Sequence, residues 1–512
     1  MAVLYHGVGP AAGALSFPSM PDRPNVLWIC TDQQRRDTLG CAGNPFVRTP
    51  HLDALAAGGV RFDRCFVQNP LCAPSRASFL TGRYPRTTRM RQNGQTIPAD
   101  ELMVTRLLAD AGYHCGLVGK LHTGATDAAA GFISEERRDD GYHYFQWSPK
   151  PFPDWRDPED YSATNAYAHW LIERGVPYPY RAAPFKGSRF VQVGIGEAHH
   201  QTIWCAEKTI AFIQANAGSG RPWLLSMNPF DPHHPFDPPA DYLARYLDRL
   251  DEIPLPAYRP GELNDKPVFQ RRFHEVGAYN VPGAFRYGHL TDRNHRLVRA
   301  AYWAMVDLID VQVGRILDAL EQTGQRDRTL VIFSSDHGEM LGDHGIYLKG
   351  PFFYEQAVGV PLIVSLPGTV AGGRASDALI EAADLAPTIA EAAGLPVPAG
   401  MQGRSWWPQL TGGEPIAAQR EDVYSEYYNS SIMFADPEMR ANLTMVRTDR
   451  HKLVVAHGRG EGELYDLEQD SEEAINRFFD PDYREVKLDM LSRLTDRMAF
   501  TVDPLPERRA RW

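Results

Sequence analysis

The sequence predicts an α/β protein in which a mainly parallel sheet is sandwiched by helices and followed by a smaller C-terminal α+β domain. Two observations predict this architecture. Continuous apolar runs, typical of strands buried on both faces, alternate with helical stretches as far as Gly394. Beyond Gly394 the apolar residues fall in short alternating segments, which is typical of an antiparallel sheet.

Five apolar runs predict the strands of the main sheet. In chain order they cover residues 25–30, 116–118, 223–227, 329–333 and 360–365. Helical stretches lie between them, at 101–111, 198–215 and 300–322. Because strands connected through helices run parallel, this alternation predicts one sheet with helices on both faces.

The C-terminal part is predicted to be a small antiparallel sheet and a helix. The segments concerned are 443–447, 451–456 and 462–467 for strands and 483–497 for the helix. The sequence therefore divides into a flexible extension over 1–21, a main domain over 22–395, and a C-terminal subdomain with its tail over 396–512.

An insertion rich in proline and aromatic residues lies between Phe145 and Phe190. Such an insertion covers or lines a pocket, or packs as a surface loop. Its aromatic side chains either stack on a substrate or pack against the protein, and they include Trp147, Trp155, Tyr161 and Tyr167. The substrate class is therefore left open by this segment.

Composition excludes several classes of partner. The chain has 53 Lys and Arg against 64 Asp and Glu, a net charge of −11, so its overall field repels nucleic acid. An anionic small molecule therefore binds only where several cationic side chains converge, or where a bound metal makes the local electrostatic potential positive. No apolar run is long enough to span a membrane, and the first twenty residues lack the basic start of a secretory signal, so we expect a cytoplasmic protein without a membrane partner.

Polar residues follow three of the predicted strands. Asp32, Asp231 and Asp336 each lie just beyond a strand's carboxyl end, where parallel sheets gather their functional groups, and we expect one site from them. The neighbouring side chains Gln33 and His337 add amide and imidazole donors. Oxygen and nitrogen ligands without a thiolate predict a hard or borderline divalent ion rather than copper.

The most specific motif lies between Leu71 and Pro85. Its defined positions follow the pattern Cys-x-Pro-Ser-Arg-x-x-x-Leu-Thr-Gly-Arg, and they are Cys72, Pro74, Ser75, Arg76, Leu80, Thr81, Gly82 and Arg83. This pattern resembles the signature of the type I sulfatases, and further similar landmarks extend from residue 22 to about residue 497. The resemblance implies an alkaline-phosphatase-like fold. It also implies that a maturation system oxidises Cys72 to Cα-formylglycine.

The resemblance also assigns a metal site. It implies one divalent ion, Ca²⁺ or Mn²⁺ rather than Mg²⁺, held by Asp32, Gln33, Asp336, His337 and the side chain of residue 72. Many sulfatases have two acids at the first pair and Asp-Asn at the second. The Asp-Gln and Asp-His pairs of this chain are similar to those of choline-sulfatases and phosphonate monoester hydrolases.

Several further residues resemble catalytic elements of the family. Lys120 and His122, in a Gly-Lys-x-His element, would bind a sulfate oxygen and take a proton from the formylglycine hydrate. His233, in a Pro-His-x-Pro loop, would protonate the leaving group. The adjacent His234 is the alternative, and we expect it to face solvent because neighbours on an extended loop point in opposite directions.

Three other side chains complete the predicted site. Lys349 resembles the second sulfate-binding lysine, and Arg76 would hold the aldehyde side chain and screen its alkoxide. Asn93 matches a substrate-binding asparagine of the phosphonate hydrolase branch, although Asn93-Gly94 is also a turn dipeptide.

The resemblance implies an arylsulfatase-like hydrolase that acts on a small sulfate ester through a covalent sulfo-enzyme intermediate. The hydrated aldehyde has two hydroxyls, of which one attacks sulfur and the other expels sulfate. A phosphonate monoester hydrolase or phosphodiesterase with the same site is the first alternative, although the Lys120 and His122 pair favours sulfate. An unmatured protein that binds metal and anions without turnover is the second. The family implies a homo-oligomer, a dimer or a tetramer.

Overall fold

The computed structural model describes residues 23–126, 134–137, 139–151, 165–177, 182–277, 285–412, 416–428 and 437–506. The predicted N-terminal extension and the insertion residues Trp155 and Tyr161 lie outside these ranges.

Strands and helices alternate through the described residues. The strands are β1 (Asn25–Thr31), β2 (Val60–Phe66), β3 (His114–Gly119), β4 (Tyr144–Trp147), β5 (Ala183–Pro184), β6 (Gln192–Val193), β7 (Trp223–Asn228), β8 (Thr329–Ser335), β9 (Gly359–Ser365), β10 (Arg374–Ser376), β11 (Ile380–Glu381), β12 (Asp422–Tyr427), β13 (Leu443–Thr448), β14 (His451–Ala456) and β15 (Glu461–Asp466). The α-helices are α1 (Pro50–Ala57), α2 (Cys72–Thr81), α3 (Pro85–Thr88), α4 (Val104–Asp110), α5 (Ala166–Glu173), α6 (Gln201–Asn216), α7 (Ala240–Leu247), α8 (Val268–Val276), α9 (Asp292–Gln322), α10 (Glu355–Val358), α11 (Leu385–Ala392), α12 (Trp407–Thr411) and α13 (Arg484–Phe500).

Nine of the described strands form the main sheet. Their order is β10-β2-β9-β8-β1-β7-β3-β4, with β11 beside β2. Only β9 runs antiparallel to its neighbours, β2 and β8, and the other pairs of this sheet are parallel. The predicted mainly parallel α/β fold is therefore confirmed.

Both faces of the sheet are covered, which explains the continuous apolar runs. On β1, Leu27 and Ile29 pack in a core shared with α6 and the second half of α9. Val26 and Trp28 point to the opposite face, where the Trp28 ring lies 5.0 Å from that of Phe79 on α2. A strand between two helical layers has no polar face, so its sequence does not alternate.

The C-terminal region has its own antiparallel sheet in the order β12-β13-β14-β15, covered by α13. The sequence predicts the helix and the last three strands, and β12 is an additional strand. Leu443, Met445 and Val454 of this sheet join the main hydrophobic core, and a buried cluster of charged side chains adds polar contacts. The Lys452 ammonium on β14 lies 2.9 Å from Glu355 Oε1 and 2.7 Å from Glu473 Oε1. The exact domain limits near residue 395 stay a prediction.

Helix α9 begins earlier than the sequence suggested, at Asp292 instead of residue 300. The Thr291 side chain accepts the Asn294 N–H and caps the helix. The first turns are rich in charged and polar residues, so the apolar period that predicts a helix starts only later.

None of the helices in the described ranges combines the length and the apolar character that crossing a membrane requires. All six cysteines are free thiols in the structure.

Candidate active site

Four adjacent strands of the main sheet, β8, β1, β7 and β3, deliver polar residues to one edge. Thr31 pairs with Ser335, so Asp32 and Asp336 leave the sheet side by side. The Gln33 N–H donates to Asp336 Oδ1 at 3.0 Å, which ties the two strand ends together. Register therefore brings together residues that are more than 300 positions apart in the sequence.

Cys72 is the first residue of α2 and is 2% exposed. The helix is fastened to the end of β8: the Ser75 hydroxyl donates to the Asp336 carbonyl at 2.6 Å, and Arg76 Nε donates to Asp336 Oδ2 at 2.8 Å. These two bonds hold the positive end of α2, and with it Cys72, above the strand ends.

Asp32, Cys72, Asp336 and His337 form a cluster with ligand geometry. One potential ligand atom from each lies within 4.8 Å of the others, and all four are buried. His337 Nδ1 faces the Gly338 carbonyl at 2.9 Å, and this hydrogen bond leaves the Nε2 lone pair directed at the cluster.

Gln33 presents an amide oxygen beside this cluster. Its Nε2 donates to the Glu339 carboxylate, and its Oε1 is buried without a hydrogen-bond partner among the described residues. Glu339 also accepts the Leu341 and Leu348 N–H groups at 2.9 and 2.6 Å. A buried oxygen that accepts no hydrogen bond is available to coordinate a metal ion.

Two lysines face the sulfur of Cys72 or its carboxylate neighbour. Lys349 Nζ lies 2.9 Å from Cys72 Sγ, and Lys120 Nζ lies 2.6 Å from Asp32 Oδ2. Burial raises the pKa of the Cys72 thiol, but the charges of Lys120 and Lys349 outweigh it, and the pKa lies well below its usual range. The pocket thus stabilises a negative charge at residue 72.

Arg76 lies between the two strand-end carboxylates. Besides Asp336, it donates from Nη1 to the Lys120 carbonyl at 3.0 Å, and Nη2 lies 3.7 Å from Asp32 Oδ2. These contacts fasten Arg76 to the metal-ligand residues, while its predicted action on the side chain of residue 72 stays a prediction.

Asn93 lies next to the beginning of α2, where its Oδ1 accepts the Ala73 N–H at 3.0 Å. It therefore satisfies one of the free N–H groups of the first helical turn. The described contacts show this structural role, and substrate binding by Asn93 stays a prediction.

The two histidines expected to move protons stand on loops. The His122 side chain lies near enough to Cys72 to help lower the pKa of the thiol, and its Nδ1 is buried without a hydrogen-bond partner among the described residues. His233 Nε2 lies 2.8 Å from Lys349 Nζ, and its Nδ1 lies 2.6 Å from the His234 carbonyl. Burial, followed by the Lys349 charge, lowers the pKa of His233.

The expectation that His234 faces solvent is wrong. The rings of His233 and His234 stack with centroids 4.2 Å apart, and both are half-buried. The chain turns at residues 231–235 instead of running extended, so alternation of side chains does not apply.

Asp231 does not bring its carboxylate to the site, contrary to the prediction of a single cluster of three aspartates. Its Oδ2 accepts the Thr202 hydroxyl at 2.5 Å and lies 3.5 Å from His200 Nδ1, at the start of α6. Its backbone carbonyl accepts the Asp32 N–H at 3.2 Å. Asp231 thus supports the site through its backbone.

Of the insertion aromatics, Trp147 and Tyr167 pack within the protein. Trp147 ends β4 and is 3% exposed, and Tyr167 is buried against Trp170 and Trp204. Neither surface is available to a substrate.

Two residues that shape the site have no role assigned from the sequence motifs. Ser75 fastens α2, and Glu339 orients Gln33. Ser75 lies inside the motif from Cys72 to Arg83, and Glu339 lies two residues after His337, so nearness to the motif residues was the available signal. Their contacts depend on the packing of segments distant in sequence, which a motif does not reveal.

Taken together, Arg76, Lys120 and Lys349 place three cations around two carboxylates, Asp32 and Asp336. The chain as a whole is negative, with a net charge of −11, yet three cations converge around residue 72. A monoanionic, tetrahedral group next to residue 72 fits this charge distribution.

Comparison with known proteins gives two matches to family models. The model described as Sulfatase matches residues 24–395, and the model described as N-sulphoglucosamine sulphohydrolase, C-terminal, matches residues 342–499.

Individual relatives match along most of their length. An arylsulfatase of Clostridium perfringens is 28% identical over 495 residues, which cover 92% of this chain and 93% of the relative. The human iduronate 2-sulfatase is 31% identical over 425 residues, covering 74% of this chain and 70% of the relative. Among solved structures, a phosphonate monoester hydrolase from Silicibacter pomeroyi superposes with a TM-score of 0.80 at 27% identity, covering 94% of this chain and 96% of that one.

Proposed function

The chain belongs to the sulfatase family, and from this premise we propose that it hydrolyses sulfate monoesters with residue 72 matured to Cα-formylglycine. The observation that carries the proposal is the position of Cys72, buried at the start of α2 within a cluster of Asp32, Asp336 and His337. The thiol sulfur marks the place where the hydrated aldehyde would present its two hydroxyls.

The donor set fits a divalent ion. Two carboxylates and the Nε2 of His337 converge with residue 72, and the adjacent residue Gln33 has a buried Oε1 without a donor among the described residues. Oxygen-rich ligands with one imidazole suit Ca²⁺ or Mn²⁺. When bound, such an ion would make a hydroxyl of residue 72 easier to ionise and would offset charge on the group being transferred.

The lysines would hold the sulfuryl oxygens. Lys349 and Lys120 lie beside Cys72 and Asp32, so an ester bound over residue 72 would have an ammonium on two sides. Each acts as a point charge with several donors, which suits a tetrahedral anion.

In the first half-reaction, one hydroxyl of the hydrate, as its anion, forms a bond to sulfur while the bond from sulfur to the alcohol oxygen breaks. His233 would give its Nε2 proton to that oxygen. Its Nδ1 donates to the His234 carbonyl, so the ring would enter this step as the imidazolium, lose its Nε2 proton and keep the proton on Nδ1.

In the second half-reaction, His122 would take the proton of the remaining hydroxyl. The carbon–oxygen bond to sulfate then breaks, sulfate leaves, and the aldehyde forms again and adds water. The position of His122, close enough to residue 72 to influence its pKa, supports this role.

Phosphonate monoester hydrolysis is the second candidate activity, and we propose it as a side activity of the same site. The solved phosphonate monoester hydrolase covers nearly the whole chain with a TM-score of 0.80. Lys120 and His122, which the sequence resemblance associates with sulfate, support sulfate as the preferred ester.

The test combines mass and turnover. Protein produced with a formylglycine-generating system is digested, and the peptide with residue 72 is expected to be about 18 Da lighter than the cysteine form. The converted protein should hydrolyse p-nitrophenyl sulfate, with a higher kcat/KM than for a phenyl phosphonate monoester. Protein left as the thiol should bind metal without turnover, and Cys72→Ala serves as the matched inactive control.

Fully converted, metal-loaded protein that hydrolyses no sulfate ester would refute the proposal. A kcat/KM at least ten times higher for the phosphonate would reverse the order of the two activities.

A further inference from the structure

The His122 backbone has a conformation that needs outside support. Its φ is +62°, in the left-handed region that a residue with a side chain rarely adopts. The turn follows Gly119, the last residue of β3, whose φ is +100°. This position allows no side chain, because a Cβ would lie 2.0 Å from the Asn228 carbonyl oxygen. A neighbour must therefore hold this turn in place.

Glu135 is that neighbour. Its carboxylate accepts three successive backbone N–H groups, those of His122 at 2.9 Å, Thr123, and Gly124 at 2.9 Å. The Thr123 hydroxyl also donates to it, at 3.3 Å. Successive N–H groups in a left-handed turn form a concave nest for an anion, and here a buried carboxylate of the same chain fills it.

The carboxylate is in turn anchored to the sheet. Trp147, the last residue of β4, donates its indole N–H to Glu135 Oε2 at 2.8 Å. Trp147 pairs with Gly119 across β3 and β4, and the Ser148 N–H donates to the Gly119 carbonyl at 3.0 Å. The main sheet therefore positions Trp147, Trp147 positions the Glu135 carboxylate, and this carboxylate binds the backbone N–H of His122.

We propose that Glu135 is a positioning residue for the second half-reaction: it fixes the backbone of His122 so that the imidazole stands against residue 72. The inference rests on the proposed function of His122 as the base. Glu135 touches neither residue 72 nor the metal-ligand residues in the described contacts, so it acts through His122 alone.

The consequence is specific to one chemical step. Proton removal from the hydroxyl of residue 72 requires the imidazole within hydrogen-bond reach, whereas transfer of the sulfuryl group depends on His233 and the lysines. Loss of the Glu135 carboxylate should therefore slow release of sulfate and leave formation of the sulfo-enzyme unchanged.

Glu135→Gln is the sharpest test, because the side chain keeps its size. The amide has one acceptor oxygen instead of two, and its NH₂ group would face one of the backbone N–H donors. On p-nitrophenyl sulfate we expect an unchanged burst of one nitrophenol per matured site, followed by a steady rate that is about 100-fold lower. Acid-quenched protein should carry a sulfo adduct on the peptide with residue 72, about 80 Da heavier than the hydrate and about 98 Da heavier than the aldehyde.

Two variants calibrate the result. Glu136→Gln changes the adjacent, exposed glutamate, which contacts the Thr96 hydroxyl, and should keep the burst and the steady rate of the wild type. Trp147→Phe removes the indole donor to Glu135 together with part of a buried ring, and should lower the steady rate roughly 10-fold with a normal burst. It provides the answer if Glu135→Gln does not fold.

His122→Ala separates failure of the inference from failure of the proposed function. If His122→Ala accumulates the adduct and folded Glu135→Gln does not, Glu135 is not a positioning residue. Equal loss of burst and steady rate in Glu135→Gln would also overturn the inference, because a general disturbance of the fold affects both. If His122→Ala itself releases sulfate normally, the assignment of His122 as the base fails, and the inference fails with it.

Discussion

The two halves of the active site are built in different ways. The strand-held half, Asp32, Gln33, Asp336 and His337, directly follows β1 and β8, whose register brings these residues together. The loop-held half, His122, His233 and Lys349, stands on loops whose geometry depends on hydrogen bonds such as those of Glu135 and Glu339.

This difference separates two kinds of task. Metal ligands must keep fixed distances, and neighbouring strands in a sheet supply such rigidity. Proton-transfer groups must meet substrate and product in turn, and loops are where such groups commonly stand. Changes in the strand-held half should therefore affect both assembly of the site and stability, whereas changes in the loop-held half should affect single chemical steps.

The largest effect is expected from Asp336→Asn. It removes a metal-ligand carboxylate and leaves the buried Arg76 guanidinium facing an amide instead of a carboxylate. We expect kcat/KM to fall roughly 10⁴-fold or more, with loss of bound metal. Unfolding should become easier by about 3 kcal/mol, because a buried charge loses its partner.

Metal content by elemental analysis, turnover and thermal unfolding check these outcomes together. Full metal occupancy with unchanged stability in Asp336→Asn would contradict the distinction between the two halves.

His122→Ala is expected to have the next largest effect. The steady rate should fall about 10²- to 10⁴-fold, the range for loss of a general base, because release of sulfate needs the second hydroxyl to lose its proton. The burst on p-nitrophenyl sulfate and the thermal midpoint should stay close to the wild type. Stopped-flow absorbance measures both phases, and a slow phase without a burst would show that His122 also serves the first step.

His233→Ala should act selectively on the leaving group. Esters of weakly acidic alcohols need a proton on the departing oxygen, so their kcat/KM should fall about 100-fold, whereas nitrophenyl sulfate should lose much less. We expect a plot of log kcat/KM against leaving-group pKa to have a steeper slope for the variant than for the wild type. Parallel lines would mean that His233 does not act as the acid, and the stacked His234 would then be tested in the same series.

The smallest effect concerns the scaffold behind the strand-held half. Helix α9 supports this half through the Tyr302 hydroxyl, which donates to the Gln33 carbonyl at 2.6 Å. On the same helix, burial raises the pKa of Asp307 to about 6. An unfolded aspartate titrates near pH 3.9, so the native protein keeps this proton to higher pH, and stability falls as pH rises between about 4 and 6.

Asp307→Asn should abolish this part of the pH dependence. Asp307 Oδ1 accepts the Arg48 N–H at 2.7 Å and the Tyr246 hydroxyl at 2.9 Å, and an asparagine oxygen accepts both as well. Between pH 4 and pH 7 the unfolding free energy of the variant should gain about 2 kcal/mol relative to the wild type, with kcat/KM unchanged. Denaturant unfolding at pH 4 and pH 7 checks this. If the unfolding free energies of variant and wild type differ by the same amount at both pH values, Asp307 does not titrate in this range.

Particular residues show how far the sequence could predict the site. The motif around Cys72 and the pairs after β1 and β8 named the groups that the structure brings together. The same reasoning placed the Asp231 carboxylate in the site, but its side chain turns toward α6, because position at a strand end does not fix side-chain direction. Glu135 gave no signal, since it lies 13 positions after His122 in a stretch without a motif.

The sequence by itself determined the chemistry available to this protein: a modifiable cysteine in a long motif, oxygen and imidazole donors after buried strands, and lysines in a chain that is otherwise negative. These follow from residue identity and short-range pattern. Only the tertiary structure decided which of these groups meet, because strand register and loop hydrogen bonds connect positions hundreds of residues apart. It turned Asp231 away, stacked His233 on His234, and placed the Glu135 carboxylate under the backbone of His122.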